Sequence, residues 1–156
     1  MNPGDDGARK GTDPAVIALL FAADRMDHVS QEMLPALEAG TDVVTDRYVY
    51  SSLVYQSVDL PLEWVRTINK RALKPDIIFY IRVSLEVAME RIEERQGGTR
   101  DLYENRPMLE AVSTGYEDLF RDGGVPGAVI LDGALSIEEV ALQIQEILRE
   151  RISVGE

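Results

Sequence analysis

The chain has 156 residues, 45% of them apolar, with 28 acidic against 16 basic side chains and a net charge of −12. It has no cysteine and one histidine, which excludes disulfides, thiolate metal sites and histidine-built metal centres or triads. No apolar run approaches the roughly 18 residues of a membrane span. A surface this acidic repels a nucleic-acid backbone, and the first residues, neither basic nor apolar, do not read as a secretory signal, so a cytoplasmic location is the default expectation.

The length suits one domain with its own core. Thr12-Asp13-Pro14 opens a helix, with Thr12 or Asp13 as cap and proline in the first turn. Ile17, Leu20, Phe21, Met26, Val29 and Met33 follow at helical spacing. Pro35 should kink or restart this helix and Gly40 end it. Residues 42–45 (Asp-Val-Val-Thr) read as a buried strand and 51–57 as a helical turn. Leu60-Pro61 opens a helix with Leu62, Val65, Ile68 and Leu73 on one side. Residues 77–83 form a strand. Ser84 then caps a helix to about Arg95, burying Leu85, Ala88, Met89 and Ile92, and the glycines at 97–98 break it. A helix over about 107–121 and a strand over 128–132 come next. Ser136-Ile137-Glu138-Glu139 is a capping box that opens a last amphipathic helix. Strands alternating with helices argue for an α/β fold with a parallel sheet, and continuous apolar strands fit helices on both of its faces.

The chemistry concentrates in Asp46-Arg47-Tyr48-Val49-Tyr50-Ser51-Ser52-Leu53-Val54-Tyr55-Gln56, just past the strand expected at 42–45. Ligands of open α/β sheets bind beyond the carboxyl ends of strands. An arginine there can grip a phosphate with both nitrogens. An aspartate beside it can orient that arginine or hold Mg2+ through water. The plainer reading of Asp46 and Arg47 is a structural ion pair.

With Leu19-Leu20-Phe21-Ala22-Ala23-Asp24-Arg25 before it and Lys74-Pro75-Asp76 after it, this segment resembles the thymidylate kinase family in order and spacing. The resemblance runs from about Leu19 to the C-terminus. It implies a P-loop kinase-like three-layer parallel sheet, with helices on both faces, and transfer of a phosphoryl group from ATP to dTMP with Mg2+, giving dTDP. On the resemblance, Phe21 stacks the thymine, Arg25 bonds its edge, and Arg47 takes the monophosphate. Tyr48, Ser52, Tyr55 and Gln56 complete the substrate site. Asp46 orients the site or the Mg2+ shell. Residues 96–106 correspond to a lid, and of the arginines bracketing its glycines Arg95 would act in catalysis while Arg91 and Arg100 would meet the ATP phosphates. The bland alternatives are a core phenylalanine, an Arg25 paired with Asp24 or Glu32, and lid arginines paired with Glu90, Glu93 and Glu94 on a solvated face. The helical dimers of the family lead to the expectation of a homodimer.

The family's phosphate-binding loop, Gly-x-x-x-x-Gly-Lys-Ser/Thr, does not occur in these residues. Gly4-Asp5-Asp6-Gly7-Ala8-Arg9-Lys10-Gly11-Thr12 has the wrong spacing and no strand before it. A strand–loop–helix unit does not fit before Asp46 beside the helix already there. The expectation is therefore one incomplete nucleoside-monophosphate-kinase-like domain over 1–156, lacking the N-terminal strand–P-loop–helix unit, with impaired turnover. Two alternatives are a non-catalytic homologue that binds dTMP and a structural, self-associating module.

Overall fold

A computed structural model describes residues 11–96 and 106–153. The chain divides into two compact units, Met1–Leu73 and Lys74–Glu156.

The first unit is helical. Helix α1 spans Pro14–His28. Asp13 caps it, its carboxylate accepting from the Ala15 N–H at 2.8 Å, and Pro14 occupies the first turn, where no N–H is needed. The expected break at Pro35 takes a particular form. A prolyl ring collides with the carbonyl four residues back, and the chain widens into a π turn over Val29–Met33 before α2, Leu34–Glu38, resumes. The Leu34 N–H bonds the Val29 carbonyl, five residues back. Gly40, at φ 78°, ends the run.

Residues 42–45 correct the sequence reading. They form no strand: no ladder pairs with them among the described residues, and Val44 is 94% exposed. Two valines satisfy strand propensity, but a strand exists only where a neighbour takes its backbone bonds. Helix α3, Val49–Tyr55, runs into a 3₁₀ turn over Gln56–Val58, and α4 covers Leu62–Ile68. Leu73 lies beyond α4, off the helical stripe expected for it. α1 packs against α4. Ala18, Ala22, Met33, Leu53, Val54 and Val65 are sealed from solvent in this unit, together with the polar Ser52 and Asn69.

The second unit carries the sheet. Strand β1, Ile78–Arg82, pairs in parallel with β2, Ala128–Asp132, in a register that sets Tyr80 beside Ile130 and Arg82 beside Asp132. Helix α5, Leu85–Gln96, follows β1, and its first turn is held by Ser84 Oγ accepting from the Val87 N–H at 3.3 Å. Helix α6, Arg106–Phe120, lays Tyr116 and Phe120 against Tyr80, with ring centroids 5.5 and 4.5 Å away. Helix α7, Ile137–Ser153, opens on the expected capping box: Ser136 N–H donates to Glu139 Oε2 at 2.9 Å, and Glu139 N–H to Ser136 Oγ at 3.2 Å. Within the sheet, Ile81 and Ile130 remain about half exposed.

At the carboxyl ends of the strands, Gly133 is pressed against β1. A Cβ there would sit 2.6 Å from Val83 Cγ1 and 2.8 Å from Ile81 Cγ2, and the Gly133 N–H donates to the Arg82 carbonyl at 2.7 Å. Arg91 of α5 donates to the Gly133 carbonyl at 2.7 Å, clamping this junction.

Candidate functional site

The first unit holds a cleft of about 740 Å³, a volume suited to a nucleotide-sized ligand. Ile17, Phe21 and Arg25, four residues apart on one face of α1, form one wall with Asp24 and His28. Arg47 and Tyr48 from the turn before α3, then Ser51, Ser52 and Tyr55 from α3, form the other, with Gln56, Asp59 and Leu60 beyond. Thr12 and Pro14 close one end.

Phe21 is 55% exposed, so it is not a core residue; its ring faces available space in the cleft. Arg25 pairs with neither Asp24 nor Glu32. Its Nη1 donates to Asn69 Oδ1 and its Nη2 to Ser52 Oγ, while the guanidinium stands 5.4 Å from the centre of the Tyr48 ring. Burial pulls the Arg25 pKa down, and the neighbouring Tyr48 and Asp24 push it back up. The same burial raises the Tyr48 pKa, against the pull of Arg25. The Tyr48 hydroxyl is sealed from solvent with no hydrogen-bond partner of normal geometry, although the Leu73 main chain lies nearby, and Gln56 Oε1 is likewise enclosed and unpartnered.

Arg47 sits at φ 63°, a left-handed conformation that costs a non-glycine residue free energy. That turn sends its side chain back over α3, where Nε donates to Ser51 Oγ at 3.3 Å and the guanidinium lies 4.4 Å from the Tyr55 ring centre. Arg47 and Asp46 therefore do not form the structural ion pair of the plainer reading. Asp46 is exposed in the bend ahead of Arg47, and among the described residues no group of three or more acidic or histidine side chains converges to hold a metal. His28 is a surface residue, 3.6 Å from Glu32.

Phe21, Arg25, Arg47, Tyr48, Ser52, Tyr55 and Gln56 thus share one cleft. Arg91 lies in the second unit on the Gly133 carbonyl. The side chain of Arg95, all of Arg100 and nearly the whole lid-like segment 96–106 fall outside the described residues. Ile17 and Asn69 were missed by the sequence reading. Ile17 could have been found, one turn before Phe21 on the same stripe. Asn69 carries no local signal, since its role is set by Arg25, 44 residues away.

Among the described residues no helix is long and apolar enough to cross a membrane. The sequence profile of the thymidylate kinase family matches residues 8–144. A thymidylate kinase of Symbiobacterium thermophilum is 40% identical over 153 residues, covering 93% of this chain and 69% of that protein. A probable thymidylate kinase of Methanocaldococcus jannaschii is 37% identical, covering 85% of this chain and 66% of its own length. One of Thermococcus kodakarensis is 50% identical over 80 residues, 51% of this chain and 39% of that protein. The chain therefore spans between about two fifths and two thirds of these relatives.

Proposed function

Because the chain belongs to the thymidylate kinase family, whose fold is the P-loop kinase-like α/β fold, we propose that its cleft is the acceptor site for dTMP in phosphoryl transfer from ATP. The observation that carries this is the convergence of two guanidiniums, Arg25 and Arg47, with the Phe21 and Tyr55 rings in one cleft. The rings offer faces for a base, and two cations suit an anionic nucleotide. In this reading Phe21 stacks the thymine, Arg25 bonds its carbonyl edge, and Arg47 holds the monophosphate. Tyr48, Ser52, Tyr55 and Gln56 shape the sugar and base contacts.

A lone carboxylate such as Asp46 fits Mg2+ when phosphate and water supply the remaining ligands. The ion would neutralise charge on the phosphates. Asp46 would orient that shell, and Arg47 would fix the acceptor phosphate in line. Arg91, Arg95 and Arg100 belong to the donor side on the family resemblance alone. The exposed Leu19, Leu20 and Met26 of α1 are consistent with a homodimer as part of this reading.

These 156 residues contain no Gly-x-x-x-x-Gly-Lys-Ser/Thr, and losing such an oriented phosphate nest costs several kcal/mol of barrier, on the order of the loss of an oxyanion-hole donor. That observation favours a second reading, in which the chain alone binds dTMP with little turnover. Calorimetry with dTMP, beside a coupled assay for ADP release with dTMP, ATP and Mg2+ and a control lacking dTMP, tests both. Binding without turnover is expected. dTMP-dependent turnover would show that other residues of this chain grip ATP. Absence of dTMP binding would remove the acceptor-site reading and leave a structural, self-associating module.

A further inference from the structure

We propose that Asn69, just past the end of α4, is the positioning residue for Arg25, and that its neutral amide holds the guanidinium without quenching the charge it offers to an anionic nucleotide. The second half rests on the acceptor-site reading above; the first does not.

The amide is 6% exposed and both its ends are engaged. Nδ2 donates to the Val65 carbonyl at 2.9 Å, and Oδ1 accepts from Arg25 Nη1. This assignment has no workable alternative. Turned over, the amide would set its oxygen against the Val65 carbonyl oxygen and its N–H groups against a guanidinium, which only donates. Val65 is itself fully buried, so the anchor of the amide is rigid. The second acceptor is Ser52 Oγ on α3, also sealed, 7% exposed. Arg25 is rooted on α1, so side chains tied to three helices fix one guanidinium, and the Tyr48 ring stands beside it.

Both acceptors are uncharged. A half-buried guanidinium is ordinarily compensated by a carboxylate, yet among the described residues none hydrogen-bonds Arg25, and Asp24 acts only as a neighbouring charge. The positive charge is held in place by neutral acceptors, with no carboxylate bonded to it among the described residues, and Arg25 lines the cleft. A carboxylate at position 69 would still offer Arg25 an acceptor and would cancel that charge, at the loss of the donor to the Val65 carbonyl.

The test compares the full chain with Asn69→Ala and Asn69→Asp, using arginine side-chain 15N NMR without ligand and dTMP calorimetry at low and high salt. In the parent, Arg25 should show slow rotation about its Cζ–N bonds. Asn69→Ala should free that rotation and weaken dTMP by ten-fold or more, the scale of a lost charge-assisted hydrogen bond. Asn69→Asp should keep slow rotation yet still weaken dTMP several-fold, most at low salt, where a cancelled charge matters most. Unchanged rotation and affinity in Asn69→Ala would overturn the positioning role. Parent-like affinity in Asn69→Asp would overturn the charge argument. Should Asn69→Ala fail to fold, Asn69→Asp and its rotation rate decide. A parent with slow Arg25 rotation, freed by Asn69→Ala, but no dTMP binding would sink the nucleotide reading while upholding the positioning of Arg25.

Discussion

Arg47 occupies a backbone conformation that costs most L-residues about 1–2 kcal/mol, and what it gains is a guanidinium over Tyr55 in the cleft. Stability and binding should therefore part company at this position. Arg47→Gly relieves the strain but adds chain entropy, so its denaturation midpoint should stay within about 1 kcal/mol of the parent, on the stabilising side. Its dTMP affinity should fall at least ten-fold, as calorimetry would show. A large loss of stability would mean that the guanidinium holds the turn rather than serving a ligand. Tyr48 gives a second separation. Its hydroxyl is enclosed without a partner of normal geometry, a state that costs up to roughly 1–3 kcal/mol, whereas its ring lies beside Arg25. Tyr48→Phe keeps the ring and removes the orphan group. It should raise the urea midpoint with the slope unchanged; a lowered midpoint would reveal that the hydroxyl is satisfied in solution.

At the scale of elements, the capping box of α7 ties helix formation to pH. The Glu139 carboxylate accepts from Ser136, and these hydrogen bonds, backbone first, hold its pKa below the ordinary 4.5. A depressed carboxylate pKa contributes stability that is present above the unfolded value and disappears as pH falls through the folded one. Helicity at 222 nm should accordingly fray below pH 4.5 in the parent, and Glu139→Gln should remove that dependence. Gly133 tests the strand end just ahead of that helix. Its missing Cβ leaves room for Val83 and Ile81, so Gly133→Ala should cost about 1–3 kcal/mol by overpacking, seen as a lower thermal midpoint. What was legible in the sequence follows the range of the interactions. The helix start with its cap at Thr12 or Asp13, the Ser136 box, the span of β2 and the helical stripe placing Phe21 with Arg25 are local patterns; the structure chooses Asp13 and agrees with the other three. Residues 42–45 were misread because a ladder partner is a long-range fact that two valines cannot announce. Pro35 signalled a disturbance, but the π turn that absorbs it depends on how the preceding carbonyls can be re-paired. Asn69 was invisible for the same reason: only the fold brings α4 beneath Arg25.

Across the whole molecule, a net charge of −12 coexists with a cleft whose two arginines welcome an anion. The local field must outweigh the global one, so dTMP binding should weaken with salt less steeply than long-range attraction would require. The division into two compact units makes the location of binding measurable. Trp64, the single tryptophan, lies in α4 of the first unit, while β1 and β2 belong to the second. A ligand that binds only the folded state stabilises what it binds, by about 2.7 kcal/mol at a hundred times its dissociation constant. Saturating dTMP should therefore raise the midpoint followed by Trp64 fluorescence and slow hydrogen exchange in α3 and α4. Exchange in β1 and β2 should remain at its unliganded rate if the units open independently. Equal slowing in both would mean that the two units unfold as one cooperative body. Slowing confined to β1 and β2 would place the nucleotide in the second unit and remove the acceptor-site assignment of the Arg25–Arg47 cleft.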